Sequence, residues 1–591
     1  MNYFKLLSGL VLLTGFSYSC KKSLLNSSAT GALTTAQVAN KQGVEELLIG
    51  AYALLDGQGA IQDGQASSES NWIYGSICGT EAYKGGMNLM DQEEIEEFET
   101  FQSTATNDFL EFKWQALYEG VQSANDVIRI MRLARDMTTA DTIETRAEAL
   151  FLRAFYQFEA KKMWNDIPYI DETITYASGD YHVANDTSWV RMENDFIYAM
   201  NNLPVIQPNI GRANKYAAEC FLAKIYMFER KYGLALPLLL DAINNGVTAG
   251  GIPYALFQHF HDNFDPEKKN GRESVFAAQM SVNDGSDGAN GNPGDEITFP
   301  LKGPGGCCSF FRPSQYLVNH FKTDPVTGLP DLDNFNDSAV NSDEGIAPGS
   351  PFVPDTGTLD PRLDWTVGRR GIPFLDWGIY TGMDWVTDQY DFGPYSQKKN
   401  AYYQYEQQEY TDNSFWAPVA TATNFNLIRF ADVLLLAAEA EIETGSLETA
   451  RAFVNQIRQR AADPSGWVYQ YKTNPVTGLP DPTQGDSTAA AANYKIGLYP
   501  QTWTDPVYAR KAVRFERMLE LAMEGHRFFD LVRWGIAETE INTYLQKEKT
   551  LRAYLIQAIF TPCNEYFPIP QTEIDLSAGA NGIPLMKQNC N

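Results

Sequence analysis

Seven apolar side chains, Leu110, Trp114, Leu117, Val121, Ala124, Ile128 and Met131, recur at alternating spacings of four and three. That period lines them along one face of a long helix, and such a face must be buried against something. The next segment repeats the device. It opens at Asp141-Thr142-Ile143-Glu144, where a capping box is expected, and carries Ala147, Leu150, Phe151, Ala154, Phe155 and Phe158 on one face. It ends at Asn165-Asp166-Ile167-Pro168, because the residue before a proline is pushed out of helical geometry. A short connection makes two such helices antiparallel neighbours.

The hairpin recurs. Ala217, Phe221, Ile225 and Phe228 precede an Arg230-Lys231-Tyr232-Gly233 turn, followed by Leu236, Leu239, Leu240 and Ile243. Tyr226, Tyr232 and Ala235 match the tetratricopeptide arrangement of helix aromatic, turn aromatic and close-packing alanine. Residues 427–444 and 448–461, broken at Gly445-Ser446, form another pair, and a further helix is predicted over 508–523. Each hairpin can bury its stripe only against its neighbours, so the predicted fold class is a mostly helical scaffold with few short strands. Helical scaffold is expected over about 36–245 and 419–545. Between them, about 246–418 is rich in Gly, Pro, Asp, Asn and aromatics and reads as a large irregular, loop-rich, ligand-facing region; a tail covers 546–591. Residues 322–331 recur almost unchanged at 472–481, with Asn474 for Asp324, and read as a reused surface turn.

The first twenty residues carry an address. Lys5 precedes an apolar stretch over 6–16, then Ser17-Tyr18-Ser19 and Cys20. The stretch suits an export signal and falls short of the roughly 20 residues that span a bilayer. A cysteine directly after the cleavage site resembles a bacterial lipoprotein signal: residues 1–19 would be removed, Cys20 acylated, for instance with palmitate, and 20–35 left as a tether to the membrane. With 46 Lys and Arg against 74 Asp and Glu over 591 residues, the net charge of −28 excludes a nucleic-acid partner. Cys220 lies on a helical stripe and reads as core. Cys563 and Cys590 flank the tail and are candidates for a disulfide.

Four segments in order resemble the SusD/RagB outer-membrane lipoproteins of Bacteroidetes. They are Arg146-Ala-Glu-Ala-Leu-Phe-Leu-Arg-Ala-Phe-Tyr156 with Met163-Trp-Asn-Asp-Ile-Pro168; Leu427-Ile-Arg-Phe-Ala-Asp-Val-Leu-Leu-Leu-Ala-Ala-Glu439; the stretch from Glu516 through Gly525-His526-Arg527 to Gly535; and the tail Tyr566-Phe-Pro-Ile-Pro570 with Gln588-Asn589. Cys590 stands where that family more often has proline. The resemblance implies a single tetratricopeptide-supported domain over 36–591, anchored by lipid in the outer membrane and facing outward. It would partner a SusC-like TonB-dependent transporter and deliver an oligosaccharide to it. The RagB branch offers a peptide ligand as the alternative, and a surface glycosidase is the enzymatic rival. Binding without catalysis, and without cofactor or metal, is the expectation.

The charges at Glu516, Arg517, Glu520, Glu524, Arg527, Asp530 and Arg533 read as a structural lattice. His259 and His261 read as a surface turn. The oxygen-rich stretch Asp331, Asp333, Asn334, Asn336 and Asp337 is a weak candidate for calcium, and the acidic run from Asp91 to Glu99 reads as a solvated face. Trp114, Trp164 and Trp534, on helices, read as core. Aromatics in Gly-rich loops point instead to sugar stacking, since a ring can take the C–H face of a sugar while polar neighbours take its hydroxyls. The predicted platforms are Trp72 and Tyr74 with Asn71 as polar partner and Tyr83 nearby; Phe310 after the Gly-Gly-Cys-Cys turn; and Trp377, Tyr380 and Trp385.

Overall fold

A computed structural model describes residues 35–58, 64–175, 181–186 and 189–590. Residues 1–19, Cys20 and most of the expected tether lie outside them. Among the described residues no helix is long and apolar enough to cross a membrane.

The helices of eight or more residues are α1 (Lys41–Ala53), α2 (Asp108–Met131), α3 (Thr139–Trp164), α4 (Val190–Asn202), α5 (Lys215–Phe228), α6 (Tyr232–Asn245), α7 (Phe430–Thr444), α8 (Leu447–Ala461), α9 (Pro506–Glu520), α10 (Arg527–Trp534) and α11 (Ala537–Glu548). Successive members pack on one another from α2 through α8, with α6 against α7 joining the N-terminal and C-terminal halves and α9 lying on α7 and α8. This is the side-by-side burial that the repeated stripes require. Helix content of 44% against 10% strand agrees with the mostly helical class read from the sequence.

Local boundaries follow capping chemistry. α3 starts earlier than expected, because Thr138 and not Asp141 is the N-cap. The Thr138 hydroxyl accepts from the Asp141 amide at 3.1 Å while the Asp141 carboxylate accepts from the Thr138 amide at 3.0 Å. From Ala147 to Trp164 every residue of α3 is buried, so it is the central helix. Its charged side chains are matched: Arg153 donates twice to Asp195, each at 2.8 Å, and Lys162 sits 2.7 Å from Glu159. Residues 425–429, partly read as helix, form a strand before α7, while Ser446 caps α8. The predicted 508–523 helix runs instead from Pro506, held at its start by Asp505.

Among the described residues the strands make four antiparallel two-stranded ribbons: β1 (Ala82–Gly85) with β3 (Phe310–Pro313), β2 (Ser274–Ala278) with β6 (Phe425–Arg429), β4 (Val367–Gly368) with β5 (Ser396–Gln397), and β7 (Tyr469–Thr473) with β8 (Pro480–Ala490). Residues 246–418 are irregular as expected, yet much of their apolar content is buried, in the main core and in small satellite cores, one of which Ile372 shares with Val468, Ala491 and Tyr494. The duplicated turns behave alike: Asp324 and Asn474 each accept from the amides two and three residues on, with Val326 and Val476 exposed.

The tail is pinned to the end of α3. Trp164 Nε1 donates to the Pro568 carbonyl at 3.0 Å, and the Phe567 amide donates to the Met163 carbonyl at 2.9 Å. Cys563 and Cys590 are joined, with Cα atoms 5.8 Å apart. Closing the 27-residue separation constrains the unfolded chain, so C590S is expected to cost roughly 3 kcal/mol. Urea unfolding followed by tryptophan fluorescence checks it, and an unchanged midpoint would show that the docked tail is held by its other contacts.

Candidate functional site

The first predicted platform is core. Trp72, Tyr74, Tyr83 and Phe310 are each at most 2% exposed and Asn71 is 6% exposed. Asn71 Nδ2 donates to Glu159 at 2.9 Å. Tyr74 packs edge-on to Phe98 and Phe567, and its hydroxyl donates to the Ala66 and Phe109 carbonyls. Tyr83 donates to Glu548 at 2.6 Å beneath the Arg552 guanidinium. Phe310 covers Gly86, and Phe311 meets Trp72. The expectation of exposed rings is corrected here for a physical reason: Gly75 and Gly79 do not loosen a loop. They let one turn of π-helix, Trp72–Ile77, press against the backbone of 525–528. Cys307 and Cys308 of the nearby turn are joined to each other.

The second platform divides. Tyr380 and Trp385 are buried in a satellite core with Phe374, Leu375, Val386 and Ala401. Trp377 is half-buried at its edge, and its Nε1 donates to the Tyr402 carbonyl at 2.9 Å. Trp377 also packs, with Phe415 and Ala417, against a second small core of Phe299, Tyr402 and Val419. The ring is therefore a rim element that links two clusters.

The exposed aromatics lie beside it, in a stretch that sequence reasoning passed over. Tyr405 is 66% and Trp416 64% exposed, both large values for residues that carry so much apolar area. Tyr405 leans on half-buried Tyr403 with ring centroids 5.4 Å apart, and Trp416 abuts Phe415 at 6.0 Å. Their backbone is fixed. Asp376, next to Trp377, accepts from the Gln404 amide at 2.5 Å and the Tyr405 amide at 3.3 Å, while Tyr402 bridges the Gly305 amide and the Pro418 carbonyl. Gln404, Gln408 and Asn413 are exposed along the same segment. The 404–416 segment is thus a ledge that carries Tyr405, through Tyr403, on the first cluster and Trp416, through Phe415, on the second, with exposed amide side chains along it. Tyr181, Tyr390 and Tyr508 are other exposed rings among the described residues. The signal for the ledge was present in Tyr402-Tyr403-Gln404-Tyr405 and Phe415-Trp416, but no glycine marked them as loop.

Among the described residues, Asp265, Glu267 and Glu406 bring carboxylate oxygens within 4.8 Å of one another, close enough to share a cation. Burial, and then Asp265 and Glu267, push the Glu406 carboxyl up to about 7. Lys268 stands 3.2 Å from Asp265 and already supplies positive charge there. The 331–337 stretch is organised differently: Asp331 caps the amides of Asp333 and Asn334. His261 is not on a surface turn. It is buried and stacked 4.6 Å from Trp365, and burial, then Lys398 and Lys268, lower its pKa to about 3; His259 faces Ser465 instead. Glu99 departs from the solvated acidic face, accepting from the Lys84 amide and the Tyr554 hydroxyl in the interior. Trp114, Trp164, Trp534 and Cys220 are core, as expected.

Residues 272–591 match the family model described as SusD family, and residues 35–227 match one described as starch-binding associating with outer membrane. A SusD-like protein P25 from Formosa agariphila is 24% identical over 482 residues, covering 78% of this chain and 76% of its own. Among solved structures, a laminarin-binding SusD-like protein superposes with a TM-score of 0.64 at 21% identity, covering 93% of this chain and 99% of that one. Surface glycan-binding protein A from Bacteroides thetaiotaomicron, in complex with laminarihexaose, gives 0.62 at 19% identity, covering 91% and 98%. With more than half its length matched by one family model, the chain belongs to the SusD family.

Proposed function

We propose that the protein captures a carbohydrate on the Tyr405–Trp416 ledge, with Trp377 at its inner edge, and releases it unaltered. The observation that carries this reading is the exposure of two large rings on a rigid, amide-bearing segment. Such rings form a largely pre-formed surface that stacks on sugar faces without a deep pocket. Two relatives of the same fold are named for laminarin or were solved with laminarihexaose, which supports a glycan over a peptide as the cargo. The cargo then passes to a SusC-like TonB-dependent transporter, while an acyl chain on Cys20 keeps the protein at the outer membrane.

The test is affinity electrophoresis through gels cast with a panel of polysaccharides. Wild type should be retarded by at least one of them. Truncating two central rings is expected to cost about 2 kcal/mol or more, a factor of about 30 in affinity, so Y405A/W416A should run unretarded with its unfolding midpoint unchanged. Equal retardation of the variant would remove the ledge from the site. Incubation with the retained glycan should release no new reducing ends; their appearance would favour the glycosidase reading.

A further inference from the structure

A cleft of about 780 Å³ opens elsewhere, between α9, α10 and α11 and the 331–337 stretch. In a chain of net charge −28 its lining is unusual: five cationic side chains, Arg510, Lys511, Arg514, Arg527 and Lys547, against the three carboxylates Asp333, Asp337 and Glu540. Two of the cations are committed. Arg510 donates twice to Glu443 and Lys511 pairs with Asp333. The other three are not so matched. Arg514 lies over the Trp534 ring, 4.9 Å from its centroid, and Lys547 stands on α11; neither has a carboxylate within 4.0 Å among the described residues. Arg527 is only 8% exposed; among the described residues its Nε has no hydrogen-bond partner, and its one carboxylate within 4.0 Å is Glu540 at 3.7 Å.

A buried guanidinium with an unmade hydrogen bond is costly, and it is the group that an incoming anion would complete. Burial lowers the Arg514 guanidinium from its ordinary value, against the pull of Glu439 and with Arg533 and Arg510 adding to the shift. His320 contributes no charge, since burial, and then Arg527, hold its pKa at about 3. Around the cations stand Thr543, Gln546, Thr550 and Asn336, with half-buried Phe335 as a wall. Neutral hydroxyl and amide groups around a cationic centre suit a sugar that bears an acid, and the volume suits a short oligosaccharide.

We infer that this cleft is a second binding site, for the anionic group of an acidic oligosaccharide, a uronate carboxylate or a sulfate ester. The inference rests on the carbohydrate-capture reading but uses none of the ledge residues. Titration calorimetry on the full chain with tetragalacturonate and with a sulfated galactan tetrasaccharide tests it and separates the two acids. At least one should bind, more weakly as salt rises from about 50 to 500 mM. R514A/K547A should lower that affinity at least tenfold, and K547E, a change at the cleft mouth, should do so without touching Trp534. Both variants should keep the gel retardation by a neutral glycan, which only the ledge variant loses. The inference is overturned if neither acid binds, if K547E binds like wild type, or if free sulfate or glucuronate binds as tightly as the tetrasaccharide, which would mean a simple ion site.

Discussion

Replacing Glu520 by alanine is expected to destabilise the protein by about 3–5 kcal/mol, a large share of the roughly 5–15 kcal/mol by which domains are held together. Glu520 is fully buried. One carboxylate oxygen accepts from Arg429 at 2.7 Å and from Arg460, and the other from Arg362 at 3.0 Å. The same arginines reach further acids: Arg362 reaches Asp360 and Glu516, Arg429 reaches Glu524, and Arg460 reaches Glu273. Burial alone would raise the Glu520 carboxyl, but Arg460, Arg429 and Arg362 hold it well below the usual carboxylate range. Removing it takes one shared carboxylate from three buried guanidinium groups that keep their other acids, and the unbalanced positive charge left in the interior sets the size of the effect. Glu448, whose side chain is 46% exposed and pairs with Arg451 one turn away on α8, is the control; E448A should leave the urea midpoint in place. A small shift for E520A would mean that the network is redundant.

The second large effect concerns backbone contact. A Cβ on Gly75 would lie 1.9 Å from the Gly525 carbonyl oxygen, and one on Gly525, at φ +72°, would lie 2.0 Å from the Ser70 carbonyl oxygen. Both obstacles are main chain and cannot swing aside. G75A must therefore prise the Trp72–Ile77 turn from the α9–α10 connection, with a cost at or above the upper end of roughly 1–3 kcal/mol. Gly50 gives the opposite sign. It sits within α1 with open space around it, so G50A should add about 0.5–1 kcal/mol by removing chain entropy. Thermal unfolding of the pair checks both directions; equal shifts would show that the contact yields.

These two results explain what could be read in advance. Helices α2, α3, α5 and α6 were legible because each stripe obeys a local period, and the lattice around Glu516, Glu520 and Glu524 was legible as structural because its charges alternate at helical spacing, although the structure divides them between α9, α10 and the connection between them. Its partners Arg362, Arg429, Arg458 and Arg460 were not, since they come from three other parts of the chain. The site was harder. Gly and Ser around Trp72 look like a loop in the sequence, yet the same residues are what tight packing of backbone on backbone requires. Trp377 was singled out in the sequence, whereas the exposed rings of Tyr405 and Trp416 were passed over: their exposure depends on Asp376 and Tyr402 fixing the segment above buried clusters, and no local pattern encodes that. The matched cysteines of the tail were legible only as a pair that flanks it.

The most direct measurement is a crystal structure of the protein with an oligosaccharide from the polymer that retards it. The account predicts an intact sugar chain with a ring face within about 4 Å of Trp416 or Tyr405. Sugar density seated elsewhere, with both rings bare, would contradict it.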